Sequence, residues 1–258
     1  MTITDQTGRQ ITFLSQPSRI ISLVPSQTEL LFDLGLDQEV IGITKFCIHP
    51  AEWFTKKMRV GGTKQLKIDL IRELKPDLII ANKEENEKED LELLMNEFPV
   101  WISDVRNLTD AIQMIEEIGL ITDRTEKSRH IIDEIKKQFS ELEKLPILTA
   151  AYLIWNDPIM IAACDTFIND MLNYCGFSNA FEKLSRYPQI NERELQEKTP
   201  DLILLSSEPF PFKEKHIDRF KKICPQSKAL LIDGELFSWY GSRLIKAPSY
   251  FLSLRKSL

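Results

Sequence analysis

The sequence predicts an α/β protein made of two related halves joined by one long helix. Three observations predict it. First, "IRELKPDLIIA" (Ile71 to Ala81) and "RELQEKTPDLILL" (Arg193 to Leu205) share one grammar. Each is a short polar helix, a Pro-Asp stop and an apolar run of strand length, the pattern of a helix leading into a buried parallel strand. Second, "SQTELLFDLGL" echoes "DTFINDMLNYCGF": a Thr near the helix start, apolar residues at helical spacing, and a glycine, Gly35 or Gly176, suited to a left-handed C-cap. Third, Thr122 to Leu145 contains neither Gly nor Pro and carries Ile131, Ile132, Ile135, Phe139 and Leu142 on one stripe.

Taken in order, the first half offers strands at "RIISLV", "EVIGIT", "DLIIAN" and "VWIS", with helical segments between them. The second offers "ILTAAYLIW", "DLILLS" and "KALLID". Strands alternating with helices predict parallel sheets covered by helices. Asp123 and Glu126 form a plausible capping pair for the joining segment, which as one helix would be about 35 Å long. A crossover inside one sheet needs less, so the segment reads as a rod between two lobes. The expected domains are 1–121, the linking helix 122–145, and 146–258.

Composition narrows the function classes. The formal charge of −6 over 258 residues argues against a nucleic-acid binder, which would carry a basic face. No apolar run approaches the roughly 20 residues that span a bilayer. The start, MTITDQTGRQITF, has no basic stretch followed by an apolar one. As it stands the chain therefore reads as cytoplasmic, or as periplasmic or cell-surface if a leader is missing. The four cysteines are widely spaced without a CxxC, which predicts free thiols and no structural zinc site. The spacings of a phosphate cradle, a dinucleotide fingerprint and a nucleophile elbow are missing too.

Parallel α/β sheets bind ligands at the carboxyl ends of their strands. The segments expected there supply the candidate site. The first half gives Ser26, the hexapeptide "KFCIHP" with Cys47 and His49, Thr63 in "VGGT", and Lys83 and Glu85 in "KEEN". The second gives Trp155, Glu208, Phe210, Trp239, Tyr240 and Arg243, with Tyr187 near by. Large flat apolar ligands need such aromatic walls; the plainer alternative is that these rings fill core under the loops. Arg243 is expected in the first turn of the final helix, where a cation is disfavoured unless an anion holds it. That anion is either a ligand or an internal carboxylate, with Glu208, Asp233 and Glu235 within reach by sequence. In an extended "KFCIHP", Cys47 and His49 point the same way, towards the ligand, with His49 the stronger contact. The alternative is a buried thiol in a plain loop. His130 and His216 are expected on helices away from the strand ends, which leaves Cys47 or His49 without a partner for catalysis.

The order of elements, the joining helix and four segments together resemble the helical-backbone substrate-binding proteins of ABC importers. The segments are "RIISLVPSQTELLFDLGL", "LKPDLIIANKEEN", "DTFINDMLNYCGFSNAF" and "RYPQINERELQEKTPDLILL". The cobalamin-binding branch is the most similar. The resemblance implies two Rossmann-like lobes with a ligand cleft between them, no catalysis, and no cofactor of the protein's own. It implies a metal chelate as ligand, a corrinoid first and haem or a ferric siderophore next. His49 is then a candidate axial ligand to the bound metal. A monomer working with an ABC permease is implied as well. The branch's docking carboxylates fall on Lys88 and Arg193 here, with Glu87, Glu89, Glu192 and Glu194 beside them. A cytoplasmic tetrapyrrole-modifying enzyme or a ligand sensor on the same frame is the alternative.

Overall fold

The two Pro-Asp stops organise both halves of the chain in the same way. In the computed structural model, which describes residues 1–143 and 145–258, Lys75 and Thr199 take left-handed conformations (φ 46° and 41°) just before Pro76 and Pro200. Each turn ends a helix and delivers an aspartate to the start of a strand. Asp77 accepts hydrogen bonds from the Ser18 and Arg19 amides, both at 2.8 Å. Asp201 accepts from the Thr149 amide and hydroxyl, both at 2.7 Å. These bonds hold the Asp201 carboxyl below its usual range.

The chain divides into two units. The first comprises Met1–Val105, Thr109–Lys136 and Tyr240–Ile245. It begins with a hairpin of β1 (Thr2–Thr4) and β2 (Gln10–Thr12), which the sequence patterns did not predict. The hairpin turn is tied to the sheet edge: Asp5 accepts from the Ile102 amide, and Arg9 donates to the Val100 carbonyl. Pairing groups at an open edge in this way removes a template for aggregation. Then follow β3 (Ile20–Ser22), α1 (Pro25–Asp33), β4 (Val40–Ile43), α2 (Ala51–Lys56) and β5 (Met58–Arg59). A small hairpin, β6 (Gly61–Gly62) and β7 (Gln65–Leu66), leads to α3 (Ile68–Leu74), β8 (Leu78–Asn82), α4 (Lys88–Met95) and β9 (Val100–Ser103). The sheet order is β5-β4-β3-β8-β9 and every pairing is parallel. Ile20, Ile21, Ile79 and Ile80 are fully buried, as expected for strands covered on both faces.

Helix α5 (Leu108–Ile121) precedes α6 (Thr125–Ser140). The joining helix expected over 122–145 is therefore α6, with 16 residues and a length of about 24 Å. Thr122 belongs to the close of α5, its amide and hydroxyl bonding Ile118 O. Asp123, expected in a capping pair, is left-handed at φ 55° and makes the corner between the two helices. Lys144, within the expected span, lies outside the described residues. The Ile131, Ile132, Ile135 and Phe139 stripe is buried as predicted.

The second unit comprises Arg106–Leu108, Lys137–Trp239 and Lys246–Leu258. Its elements are β10 (Leu148–Asn156), β11 (Ile159–Ile161), α7 (Phe167–Tyr174), β12 (Phe177–Asn179), β13 (Gln189–Ile190), α8 (Glu192–Lys198), β14 (Leu202–Ser206), α9 (Glu214–Ile223), β15 (Lys228–Ile232), α10 (Glu235–Ser238) and α11 (Ala247–Lys256). The predicted strands β10, β14 and β15 run parallel, with β12 also parallel beside β10. The wholly parallel sheet expected here is a mixed one. The chain turns back at Asp157–Pro158, so β11 pairs antiparallel with β10, and β13 antiparallel with β11. Thr166 caps α7, accepting from the Asn169 amide at 3.1 Å. Gly35 and Gly176 both take the left-handed conformation predicted for helix ends.

Candidate functional site

In the first unit, three loops at the carboxyl edge of the sheet are sewn together by one side chain. Asn86 Oδ1 accepts from the Asn82 amide at 2.9 Å, and its Nδ2 donates to Thr63 O at 3.1 Å and Leu23 O at 3.4 Å. The segments after β3, β6 and β8 are thereby fixed to one another. Lys64 adds a bond to Glu84 O at 3.0 Å and pairs with Glu87 at 3.3 Å. The segment after β4 joins through the Lys45 amide, which donates to Gly61 O at 2.8 Å. Tyr240, from the returning segment 240–245, donates its hydroxyl to Glu85 Oε1 at 3.0 Å. Six of the predicted residues (Ser26, Thr63, Lys83, Glu85, His49 and Tyr240) thus lie on these loops or against them. Lys83 pairs with Asp104 at 2.6 Å, and Ser26 is buried at the start of α1.

Cys47 corrects an expectation. "KFCIHP" is not extended: Cys47 N donates to Thr44 O and Ile48 N to Phe46 O, so the chain turns tightly. The turn sends the Cys47 thiol inwards, fully buried, within 3.0 Å of Thr28 Oγ1 and 3.1 Å of Thr44 Oγ1. Burial pushes this thiol up to about 11. Cys47 is thus enclosed, whereas His49 is half-buried farther along the loop. The residues turned outwards are Phe46 and Ile48, 51% and 46% exposed. Their signal was in the sequence, as the two apolar neighbours of the cysteine, but it depended on knowing the turn.

Arg243 corrects another. It lies in a 3-10 turn, Ser242–Ile245, ahead of α11 rather than in that helix's first turn. The internal carboxylate that holds it is Glu29 on α1, a partner the sequence did not suggest. Nε and Nη2 reach the two Glu29 oxygens at 2.7 and 2.8 Å. Gly241 permits this seat, since a Cβ there would stand 2.9 Å from Ser26 O.

In the second unit, the last residue but one of β10 is Trp155, 39% exposed, whose ring meets Phe210 edge-on at 5.5 Å. Phe210 stacks edge-on against Phe212 at 4.8 Å and His216 at 5.3 Å. His216 is thus part of this wall, not remote from it as its helical position implied. Its Nδ1 accepts the Lys213 amide at 2.8 Å, which caps α9. Burial and the neighbouring cations hold its pKa below the ordinary value. Glu208 and Trp239 meet internally: Trp239 Nε1 donates to Glu208 Oε1 at 2.9 Å, and Ser238 Oγ bonds the same oxygen. Burial raises the Glu208 pKa. Trp239 is only 6% exposed, so its ring is a support and not an open face. Tyr187, under the Arg186 guanidinium at 5.9 Å, precedes β13, whose Gln189 and Ile190 lie level with Trp155 and Asn156 through their β11 partners Met160 and Ile159.

The four cysteines are free. Among the described residues no group of three or more His, Cys, Asp and Glu is placed to hold a metal ion. Among the described residues no helix is long and apolar enough to cross a membrane.

The family described as periplasmic binding protein matches residues 20–223. The chain belongs to this family. A vitamin B12-binding protein of Pectobacterium carotovorum is 23% identical over 246 residues, covering 92% of this chain and 88% of the relative. The periplasmic haem-binding protein of Pseudomonas aeruginosa superposes with a TM-score of 0.78 at 18% identity, covering 92% of each chain. An ABC-type Fe3+-hydroxamate transport protein of Saccharomonospora viridis gives 0.79 at 16% identity, covering 98% of each. The α/β fold of this binding protein is that of these structures. The positions marked for transporter docking are exposed helix starts. Lys88 opens α4 and pairs with Glu92 at 3.6 Å; Arg193 pairs with Glu197 at 2.8 Å in α8. Of the flanking carboxylates, Glu87 is held by Lys64, Glu192 by Arg219 at 3.1 Å, and Glu194 by the capping box of α8, while Glu89 is exposed.

Proposed function

We propose that this chain binds a metal chelate with a broad apolar body, a corrinoid first and haem or a ferric siderophore next, and hands it to an ABC permease. The observation that supports the reading most is the exposed Trp155 ring braced by Phe210 at the carboxyl end of β10, in a family of binding proteins. An edge-on support fixes one ring so that its face can take a flat ligand. His49 is proposed as the ligand's polar or axial contact in the first unit. Glu89 and the carboxylates at 87, 192 and 194 are proposed to meet the permease.

A binding role is favoured over the enzymatic alternative by the state of Cys47. A thiol pushed up to about 11 is almost wholly protonated at neutral pH and enclosed besides, so it is a poor nucleophile. The chain is proposed to use no cofactor of its own and to act as a monomer. Its periplasmic relatives support a place outside the cytoplasm, which fractionation of expressing cells would test.

Equilibrium dialysis against hydroxocobalamin, haem and ferric hydroxamate tests the ligand class. One of the three is expected to be retained at micromolar affinity. Retention of none would end this reading.

A further inference from the structure

One corner of the first unit's carboxyl edge is built to hold an anion beside an apolar surface. Lys45 and Phe46 lie over the same glycine: a Cβ on Gly62 would stand 3.1 Å from Lys45 Cε and 3.1 Å from Phe46 Cε2. The Lys45 ammonium sits 5.0 Å from the Phe46 ring centroid. Two residues on, Ile48 exposes its side chain on the same loop. Every other lysine on these loops is satisfied within the unit. Lys64 pairs with Glu87, and Lys83 with Asp104. Among the described residues Lys45 has no carboxylate at ion-pair distance.

The ammonium's one partner among the described residues is the Phe46 ring. Two exposed apolar side chains flanking a cation with no carboxylate partner match a ligand that carries an anionic arm on an apolar rim. The arm would form a charge-assisted bond, and the rim would cover Phe46 and Ile48.

Resting on the binding reading above, we infer that Lys45, Phe46 and Ile48 recognise an anionic arm of the bound chelate, so that the protein prefers chelates bearing one. The shared chemistry is a phosphodiester or carboxylate projecting from an apolar rim. Two pairs separate the sources: cobalamin against cobinamide, which lacks the whole nucleotide loop with its phosphodiester, and haem against its dimethyl ester; in each, the change made by Lys45→Gln isolates the part due to charge. Spectroscopic titration of the full chain with each is the experiment.

The anionic member of the pair that binds should be held about fivefold or more tightly than its neutral counterpart. Lys45→Gln should weaken the anionic member by about that factor more than the neutral one. Phe46→Ala with Ile48→Ser should weaken both members alike. Equal affinity of wild type for both members, or a preference that Lys45→Gln leaves intact, would overturn the inference while the binding reading stands. Binding of ferric hydroxamate but none of the four would overturn the inference alone, and binding of none of the five would overturn both.

Discussion

Arg243 and Glu29 meet through two parallel hydrogen bonds, Nε to Oε2 at 2.7 Å and Nη2 to Oε1 at 2.8 Å, with both side chains 12% exposed. This fork fastens to α1 the same segment, 240–245, whose Tyr240 donates to Glu85. A lysine cannot make both bonds. Arg243→Lys should therefore cost about 1–2 kcal/mol in denaturant unfolding, and Glu29→Gln a similar amount. A double-mutant cycle should show the two losses to be strongly non-additive. Additive losses would mean that the fork contributes little.

Trp155 and Trp239 should answer differently to a bound macrocycle. Trp155 offers an exposed ring, whereas Trp239 is turned to Glu208. Trp155→Phe should remove most of the fluorescence quenching caused by a coloured chelate. Trp239→Phe should mainly lower stability, by about 1–2 kcal/mol, because it leaves the buried Glu208 oxygen short of a donor. Quenching that survives Trp155→Phe undiminished would move the ligand away from this wall.

Thiol chemistry gives a direct check on the turn at Cys47. Cys47, Cys175 and Cys224 are buried, while Cys164 is partly exposed. Burial pushes Cys47 up to about 11 and Cys175 up to about 12. In the native protein at pH 8, a water-soluble disulfide reagent should label Cys164 promptly and the other three only on unfolding. Prompt labelling of Cys47 would restore the outward-facing thiol that "KFCIHP" first implies.

The aromatic wall of the second unit should weaken in acid. The neutral His216 ring accepts the Lys213 amide, and its folded pKa lies below the ordinary 6.5 through burial, with Lys215 and Arg219 acting in the same sense. As pH falls below 6.5 the unfolded chain takes up the proton first. The ring's contribution is therefore complete above that value and is lost as pH falls through the lower folded value. The stability gap between wild type and His216→Gln should narrow as pH falls below about 6.5. A gap independent of pH would show that the ring contributes by packing alone.

Much of the fold was legible because its signals are local. The strands β3, β4, β8, β9, β10, β14 and β15 are continuous apolar runs, and the Pro-Asp stops and Gly35 and Gly176 fix turns through their own backbone preferences. The misses are elements without a strong period. The hairpin β1–β2 and the short β11 and β13 contain two or three residues each and exist through their partners.

By itself, then, the sequence determined the α/β class, the repeated halves, the parallel strands and the segments that gather at their carboxyl ends. Only the tertiary structure decided what the side chains on those segments face. Cys47 turns inward because Thr28 and Thr44 receive it, and Phe46 and Ile48 turn outward as a result. Arg243 finds Glu29 across 214 positions of sequence, and Tyr240 finds Glu85 across 155. Backbone preference acts over neighbouring residues and is written in order along the chain. A loop side chain takes its direction from hydrogen bonds and packing with distant segments, and those partners exist only once the chain has folded.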